Sequence, residues 1–512
     1  MTTTAAEDLF AFMDDDTKRA LFQMQRLTSE LRLRQPRIQK RMNYVRGHQP
    51  LAYASAEFRR YMGDRFEGFA DNWCLPIIQT PAERMVVQGI RLDSEDLRPD
   101  AEMSRVWRAN NAERGSSEAF VVGLAASRAF ALVWGDDEDA DTPVITWERP
   151  EQAIVSYRPD TGRPIAGLKL WSDDDAGYEY ATLYTREWVW KWQRTGVQLA
   201  VVHEPRPAVD PTGGWEPRHP DGDDTWPIAN PMGMVPLIEF RNQTLLDDAP
   251  MSDIDGVMSV QDAINLVWAY LFNALDFASL PQRVVTGAEV PRIPILDAKG
   301  QVVGEKPVDL DQLVKDRVLW IPGDSASTAE WSAARLDVFS AVIERAIEHI
   351  AAQTRTPSHY LIGRIANLSA DALTAAETGL VSKTRERLTY FTPPLRRVYA
   401  LVAAAQGNPE RAKAALSGTV VWGDIQFRSL AQKVDALMKM HQMGFPLEWI
   451  AEQYGLEPNE VARVMDMRER ELHMDPVGAM AQTLERAYPT PPPDAPEPPG
   501  VEEGVEVEDP VG

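Results

Sequence analysis

Cysteine is almost missing from this sequence: Cys74 stands alone among 512 residues, which excludes an internal disulfide framework. It lies in the apolar stretch NWCLPII, where a buried structural thiol is expected rather than a nucleophile. Histidine is scarce too, with seven scattered copies and no CxxC, HExxH or His-rich cluster to hold a transition metal, so no cofactor is expected. No apolar run approaches the roughly 18 to 20 residues that span a bilayer. The opening residues, MTTTAAEDLFAFMDDD, are acidic where a secretory signal is basic and then apolar, so the expectation is a protein made and kept in the cytoplasm, without a membrane partner.

Positive charge is also short. The formal net charge is −24, whereas proteins that grip phosphate backbones carry a basic face whose counterion release supplies most non-specific affinity. The chain as a whole is not a DNA-gripping protein.

Catalytic motifs are missing as well. There is no GxxxxGK followed by Ser or Thr; the nearest stretch, GQVVGEK, has the wrong glycine spacing and no hydroxyl after its lysine. GxGxxG and GxSxG are absent too. Acidic groups such as Asp136 and Asp137, or Asp173 to Asp175, lie in turn-like sequence and are expected to be solvated loop charge rather than metal ligands. The chain is not expected to be an enzyme.

What is present is a sequence of long helical patterns separated by strand-rich stretches. Residues 5 to 46 place Leu21, Met24, Leu27, Leu31 and Leu33 near helical spacing, with Pro36 expected to break the helix in two. A β-like run covers Val86 to Leu92, and helices are expected at 98 to 111 and 114 to 127. From residue 129 to 240, apolar runs alternate with Asp/Gly turns, which predicts one antiparallel β unit; Trp188, Trp190 and Trp192 are expected to line one packed face of a strand.

Residues 252 to 279 open on a Ser/Asp cap signal and repeat Ile254, Val257, Ile264, Val267, Leu271 and Leu275, which predicts one long helix. A Pro-containing β-rich insert, 281 to 330, separates it from a second helix striped by Leu336, Phe339, Ile343, Ala346 and Ile350. Next comes TRTPSHYLIG, residues 354 to 363, a basic loop stiffened by Pro357. A third long helix, capped by Ser369 and bent or ended by Pro393 and Pro394, follows it. Residues 448 to 467 have helix-turn-helix spacing but few cations, so helix-pair packing is preferred over DNA reading. The Pro-rich acidic tail is expected to be extended and disordered.

This order of parts resembles the portal proteins of tailed bacteriophages, particularly long-tailed phages of actinobacteria. YVRGHQPL, NWCLPII, AFALVWGDDE, RPEQAIVSY, SVQDAINLVWAYLFNALDFASLPQRVVTG, HIAAQTRTPSHYLIG and NLSADALTAAETGLVSKTRER carry the resemblance, which runs from about residue 15 to 430. One departure is Ser358, where relatives often have a second proline.

The resemblance implies an α+β portal fold with long stem helices, a β-rich wing and clip, and a small helical crown. Carried onto this chain, 1–250 and 371–430 form the wing, 251–280 and 331–353 the stem helices, and 281–330 the clip; 354–370 is the tunnel loop, 431–475 the crown and 476–512 the tail. It implies a homo-oligomeric ring, usually a dodecamer, at one capsid vertex of the virion, assembled in the host cytoplasm. Its implied partners are the terminase large subunit, a head–tail connector or adaptor, the major capsid protein and scaffold, and double-stranded DNA passing non-specifically. Arg355, His359 and Arg364 are the candidate residues facing that DNA, the alternative being that the two arginines pair with Glu344 or Glu348 of a neighbouring copy. A minor capsid or other head–tail connector protein without a DNA channel is the competing function.

Overall fold

The computed structural model describes residues 10–11, 13–62, 69–93, 95–96, 98–195, 212–218, 226–246, 249–279, 283–287, 289, 292–296, 300–307, 318–321, 325, 327–330, 335–362, 370–426, 430–456 and 458–474. Two compact units divide the chain after Phe427.

The first unit begins with helix α1 (Asp15–Val45), whose start is fixed by the Asp14 side chain accepting the Thr17 N–H at 2.7 Å and by Asp15 and Asp16 at the positive end of the helix dipole. Short helices α2 (Ala56–Met62) and α3 (Cys74–Ala82) lead to strand β1 (Val87–Arg91), then α4 (Ala101–Ala109) and α5 (Ala112–Ala126). Strand β2 spans Arg128–Trp134, β3 Val144–Glu148, β4 Ala153–Tyr157, β5 Pro164–Asp173, β6 Tyr178–Tyr184, β7 Trp188–Thr195, β8 Glu216–Pro217, β9 Ile228–Ala229 and β10 Leu237–Arg241. Helix α6 (Met258–Ser279) precedes β11 (Arg283–Thr286), β12 (Arg292–Leu296), β13 (Val302–Pro307), β14 (Val318–Ile321) and β15 (Ser327–Glu330). Helices α7 (Asp337–Thr354), α8 (Ser358–Ile362), α9 (Ala370–Ala405) and α10 (Pro409–Ser417) lead to β16 (Thr419–Trp422).

The 129 to 240 region is two sheets, not one unit. β2 pairs on either side with β3 and β10, whereas β4 to β8 form a second antiparallel sheet with β9 added to β7. The split arises because β2 takes a partner more than a hundred residues away, Leu132 facing Leu237, instead of continuing the meander. Phe130, Val155, Tyr184, Val189 and Leu237 fill the space where the sheets meet. Gly167 makes that approach possible, since a Cβ there would lie 2.7 Å from Leu237 Cβ.

Helix α1 joins two cores. Its Leu21, Met24, Leu27 and Leu31 pack on the β4–β8 sheet with Leu168, Leu183, Trp190 and Trp192, and its Ile38, Met42 and Tyr44 enter the main core. Trp190 and Trp192 therefore line a packed face as expected, Trp188 at the strand end being exposed, and Leu33 points to solvent. Pro36 does not break the helix. The missing N–H and the ring clash cost about 3 kcal/mol, but each buried apolar side chain on either side returns about 1.5–3 kcal/mol, and Gln35 is held by the Glu151 carbonyl at 2.9 Å.

Helix α9 likewise runs unbroken through Pro393 and Pro394, because Phe391, Leu395, Val398 and Tyr399 are buried in the main core around them. Strand β16 returns from its far end to pair antiparallel with β1, Val87 opposite Trp422. Helix α6 begins at Met258, not at the Ser252/Asp253 signal. Those two residues are engaged elsewhere: Ser252 Oγ donates to the Ala125 carbonyl, and the Asp253 N–H donates to the Leu124 carbonyl at 3.1 Å. Insert 281 to 330 contains a three-stranded sheet, β14-β11-β15, and the hairpin β12–β13. Ser369 and the acidic tail lie outside the described residues.

In the second unit, α11 (Leu430–Gln442), α12 (Leu447–Tyr454) and α13 (Pro458–Met474) pack in succession. Gly455, at φ 102°, supplies the left-handed turn between the last two, and Ala451 and Val461 are buried, as helix-pair packing requires.

Gly167→Ala forces the two sheets apart and should lower stability by about 1–3 kcal/mol, read as a fall in the thermal unfolding midpoint. An unchanged midpoint would show that the close approach of the sheets is not needed.

Candidate functional site

The TRTPSHYLIG stretch starts as a helix end. Arg355 caps α7 in the left-handed region, φ 54°, with its N–H turned back on the Ala351 and Ala352 carbonyls, and the Thr356 N–H also donates to the Ala351 carbonyl at 3.0 Å. Thr354 is buried and its hydroxyl donates to the Ile350 carbonyl at 2.8 Å. Thr356 and Pro357 are buried, and the short helix α8 follows at Ser358.

Much of this stretch is bound to the body of the protein. Leu361 enters the main core with Ile362 packed against it. The Tyr360 hydroxyl accepts from Arg84 Nη2 at 2.9 Å and donates to Glu377 Oε1 at 2.9 Å, while Arg84 Nη1 donates to the Ile425 carbonyl at 3.0 Å. Burial first, and then the bond to Glu377, push the Tyr360 phenol above its ordinary pKa. The His359 ring lies 4.6 Å from the Tyr360 ring.

Arg355 forms an ion pair with Glu386 of α9 in its own chain, Nη2 to Oε2 at 2.9 Å, both side chains remaining partly exposed. The alternative partners, Glu344 or Glu348 of a neighbouring copy, belong to a second chain. Arg364, the third candidate, lies outside the described residues, so only Arg355 and His359 are seen, four positions apart on either side of Pro357.

Next to Arg355 is a cluster that the sequence did not reveal. Asp253, 1% exposed, lies 2.9 Å from Lys383 Nζ and 3.1 Å from the Arg387 guanidinium, which are 3% and 6% exposed. Asn242 Nδ2 also donates to Asp253 Oδ1 at 2.8 Å. Burial alone would raise the Asp253 pKa, but the charges of Lys383 and Arg387 hold it below the ordinary carboxylate value. Burial pulls the Lys383 ammonium down by more than Asp253 restores. Lys383 and Arg387 are one helical turn apart on α9, a spacing visible in the sequence, yet nothing local identifies a carboxylate 130 residues earlier as their partner.

The other chemistry-bearing residues have structural work. Cys74 is buried at the start of α3, its thiol pushed up to about 12 by burial and then by the Asp262 charge. Asp136 and Asp173 accept backbone N–H groups two residues on, as turn residues do. Among the described residues, no three His, Cys, Asp or Glu side chains converge as a metal site, and no helix is long and apolar enough to cross a membrane.

Residues 25–472 match the family model described as "Phage portal protein, SPP1 Gp6-like". The chain belongs to this phage portal family. The resemblance noted in the sequence is thus borne out, and the family is a structural one. The chain is similar to the portal protein of Mycobacterium phage D29, 25% identical over 426 residues that cover 79% of this chain and 80% of that protein. Against the portal protein of Mycobacterium phage L5, identity is 24% over 414 residues, covering 77% of this chain and 76% of the relative. Among solved structures, similar chains come from the neck of an empty gene transfer agent particle, with TM-score 0.40, 13% identity and 79% and 94% of the two chains covered. The neck of the native particle gives TM-score 0.38, 14% identity and the same coverage.

The buried pair gives a pH test. Because the folded Asp253 carboxyl sits below its unfolded value, its contribution is complete above that value and is lost as pH falls through the folded pKa. Asp253→Asn should cost on the order of 3–5 kcal/mol at neutral pH, and the gap in thermal midpoint between variant and wild type should shrink below about pH 3.8. A gap that stays constant down to pH 2 to 3 would falsify this account.

Proposed function

We propose that the chain assembles head to tail into a closed ring, a dodecamer as in the portal proteins it resembles, at one vertex of the phage head. Genomic DNA passes through the axial channel during packaging and ejection. The observation that carries the proposal is the family match over residues 25–472.

In this reading, α6 and α7 are stem helices, the β11–β15 region is the clip, α11 to α13 belong to the crown, and the remaining sheets with α9 form the wing. Exposed apolar side chains favour it. Tyr270, Phe272 and Leu275 on α6, and Val338 and Val342 on α7, face solvent in the single chain, as does the hairpin carrying Ile293, Ile295 and Val303. A neighbour would cover such surface, and head-to-tail contacts that close by rotation make a ring.

The ring performs no chemical step of its own. ATP hydrolysis belongs to the terminase that docks on it during packaging, and a connector or adaptor replaces the motor afterwards. Contacts with major capsid protein and scaffold place the ring in the shell, so the protein ends in the virion after assembly in the host cytoplasm. A conduit must let DNA pass without holding it, and a chain of net charge −24 suits that task. With a Debye length of about 8 Å at physiological salt, repulsion of phosphates acts only near the wall.

Arg355, His359 and Arg364 lie, in this proposal, where the channel is narrowest and locally offset the acidic field. Arg355 can do so only in competition with Glu386.

Purified protein imaged end-on by electron microscopy should show rings with a central hole; monomers alone would overturn the assembly. Phage carrying Arg355→Glu with Arg364→Glu should package DNA more slowly than wild type, and full heads at the normal rate would remove the proposed role of these arginines while leaving the ring intact.

A further inference from the structure

The base of the loop borders a cavity of about 220 Å³, lined by Asp253, Asp255, Gly256, Arg355, Lys383 and Arg387 with neighbouring residues. The charges around it do not cancel. Asp255 is held by both oxygens to Arg41, at 2.8 and 2.6 Å, and lies 3.5 Å from Arg37. Asp253 is shared by Lys383 and Arg387, and Glu386 by Arg355 and, at 3.7 Å, Arg387. Among the described residues, Arg37, Arg41, Arg355, Lys383 and Arg387 pair with Asp253, Asp255 and Glu386, an excess of two positive charges in this ion-paired group, whose Arg37, Arg41 and Glu386 stand behind the cavity lining, within a chain of net charge −24.

Lys383 is the decisive member. Its side chain is 3% exposed and its Nζ is ion-paired with Asp253 Oδ2 at 2.9 Å. That is its one carboxylate partner among the described residues, so two of its three ammonium donors are buried without a charged acceptor, which is costly for a charged group. Burial, together with the charges of Arg387 and Arg355, pulls its proton affinity down. On the opposite side Gly256 brings no side chain, and a Cβ added there would meet nothing within 4 Å.

We infer that this cavity is a binding site for a phosphate group, held by the Lys383 ammonium and the Arg355 guanidinium. A tetrahedral oxyanion supplies several acceptors at once, which matches a rigid guanidinium fork beside a point-charge ammonium. A phosphate monoester or inorganic phosphate carries about −1.5 to −2 at neutral pH, close to the local excess. Chloride offers no fixed oxygens and a carboxylate only two. The tetrahedral oxyanion is available from free phosphate and, with a single charge per group, from the backbone of DNA. Binding draws Arg355 away from Glu386, and since Arg355 caps α7 the site couples an anion to the first residue of the loop. The site stands on the geometry of the single chain and does not rest on the ring or on its channel.

The test is thermal unfolding of the full chain over a series of inorganic phosphate concentrations, against sodium chloride of matched ionic strength. Wild type should gain a saturable rise in midpoint with phosphate only. Arg355→Gln should need roughly tenfold more phosphate for half of that rise. Glu386→Gln, which releases Arg355 from its competitor, should need several-fold less, a gain that mere structural damage does not produce. Coincident phosphate and chloride curves, or a wild-type phosphate requirement in both variants, overturn the proposal. A short DNA duplex added to the series identifies the source: if it blunts the phosphate response of wild type, backbone phosphate occupies the site, and if it leaves the response unchanged, free phosphate is the ligand; both results uphold the site.

Discussion

A single buried carboxylate fixes how the helices of this protein meet. Asp253 stands just before α6, and its two cationic partners project from one face of α9. Its own N–H donates to the end of α5 through the Leu124 carbonyl, and Asn242, just beyond β10, supplies a further hydrogen bond. Four elements distant in sequence are thereby set in one register. Apolar contacts between helices tolerate sliding, because one methyl replaces another at little cost. Sliding α9 by a turn would instead leave a charge buried without its counterion, a loss of several kcal/mol. The cluster therefore selects one packing from among the many that the apolar faces alone would accept.

This dependence explains what could be read in the sequence and what could not. The stripes of α1, α6 and α7 were legible because a 3.6-residue period survives in any context that buries one face. The strands of the 129 to 240 region were legible as strands, but β2 pairs with β10 and β1 with β16 through contacts that no local pattern encodes. Pro36 misled as a helix breaker, and Pro393 and Pro394 as a helix end, because propensity describes an isolated helix, whereas these lie between residues anchored in the core. Ser252 and Asp253 misled for the opposite reason: a good local cap was diverted to partners in space. At the site, the end of α7 before Pro357 was legible, but residues 358 to 362, read as loop, form the short helix α8. Glu386, Arg84 and Glu377, which decide what its side chains can reach, come from other elements and left no mark beside it.

The same residues reconcile a strongly acidic chain with a cationic locality. Net charge describes the field far from the protein, and salt removes most of that within a Debye length of about 8 Å. Closer in, the sign is set by which ion pairs are stoichiometrically complete. Around the base of the loop they are not, and among the described residues of that ion-paired group cations outnumber carboxylates while acids prevail over the chain as a whole.

Helix α9 has mechanical properties that follow from its length and its two prolines. At 1.5 Å per residue its 36 residues form a rod of about 54 Å, carrying Arg387 and Lys383 toward one end and Tyr399 in the core toward the other. Two adjacent prolines delete two successive rungs of its hydrogen-bond ladder, so bending is easiest there. That weak point is clasped by Phe391, Leu395 and Val398, all fully buried. The rod is thus strong against thrust along its axis, and its compliance at the prolines is enclosed in the main core, where yielding requires the core to yield with it.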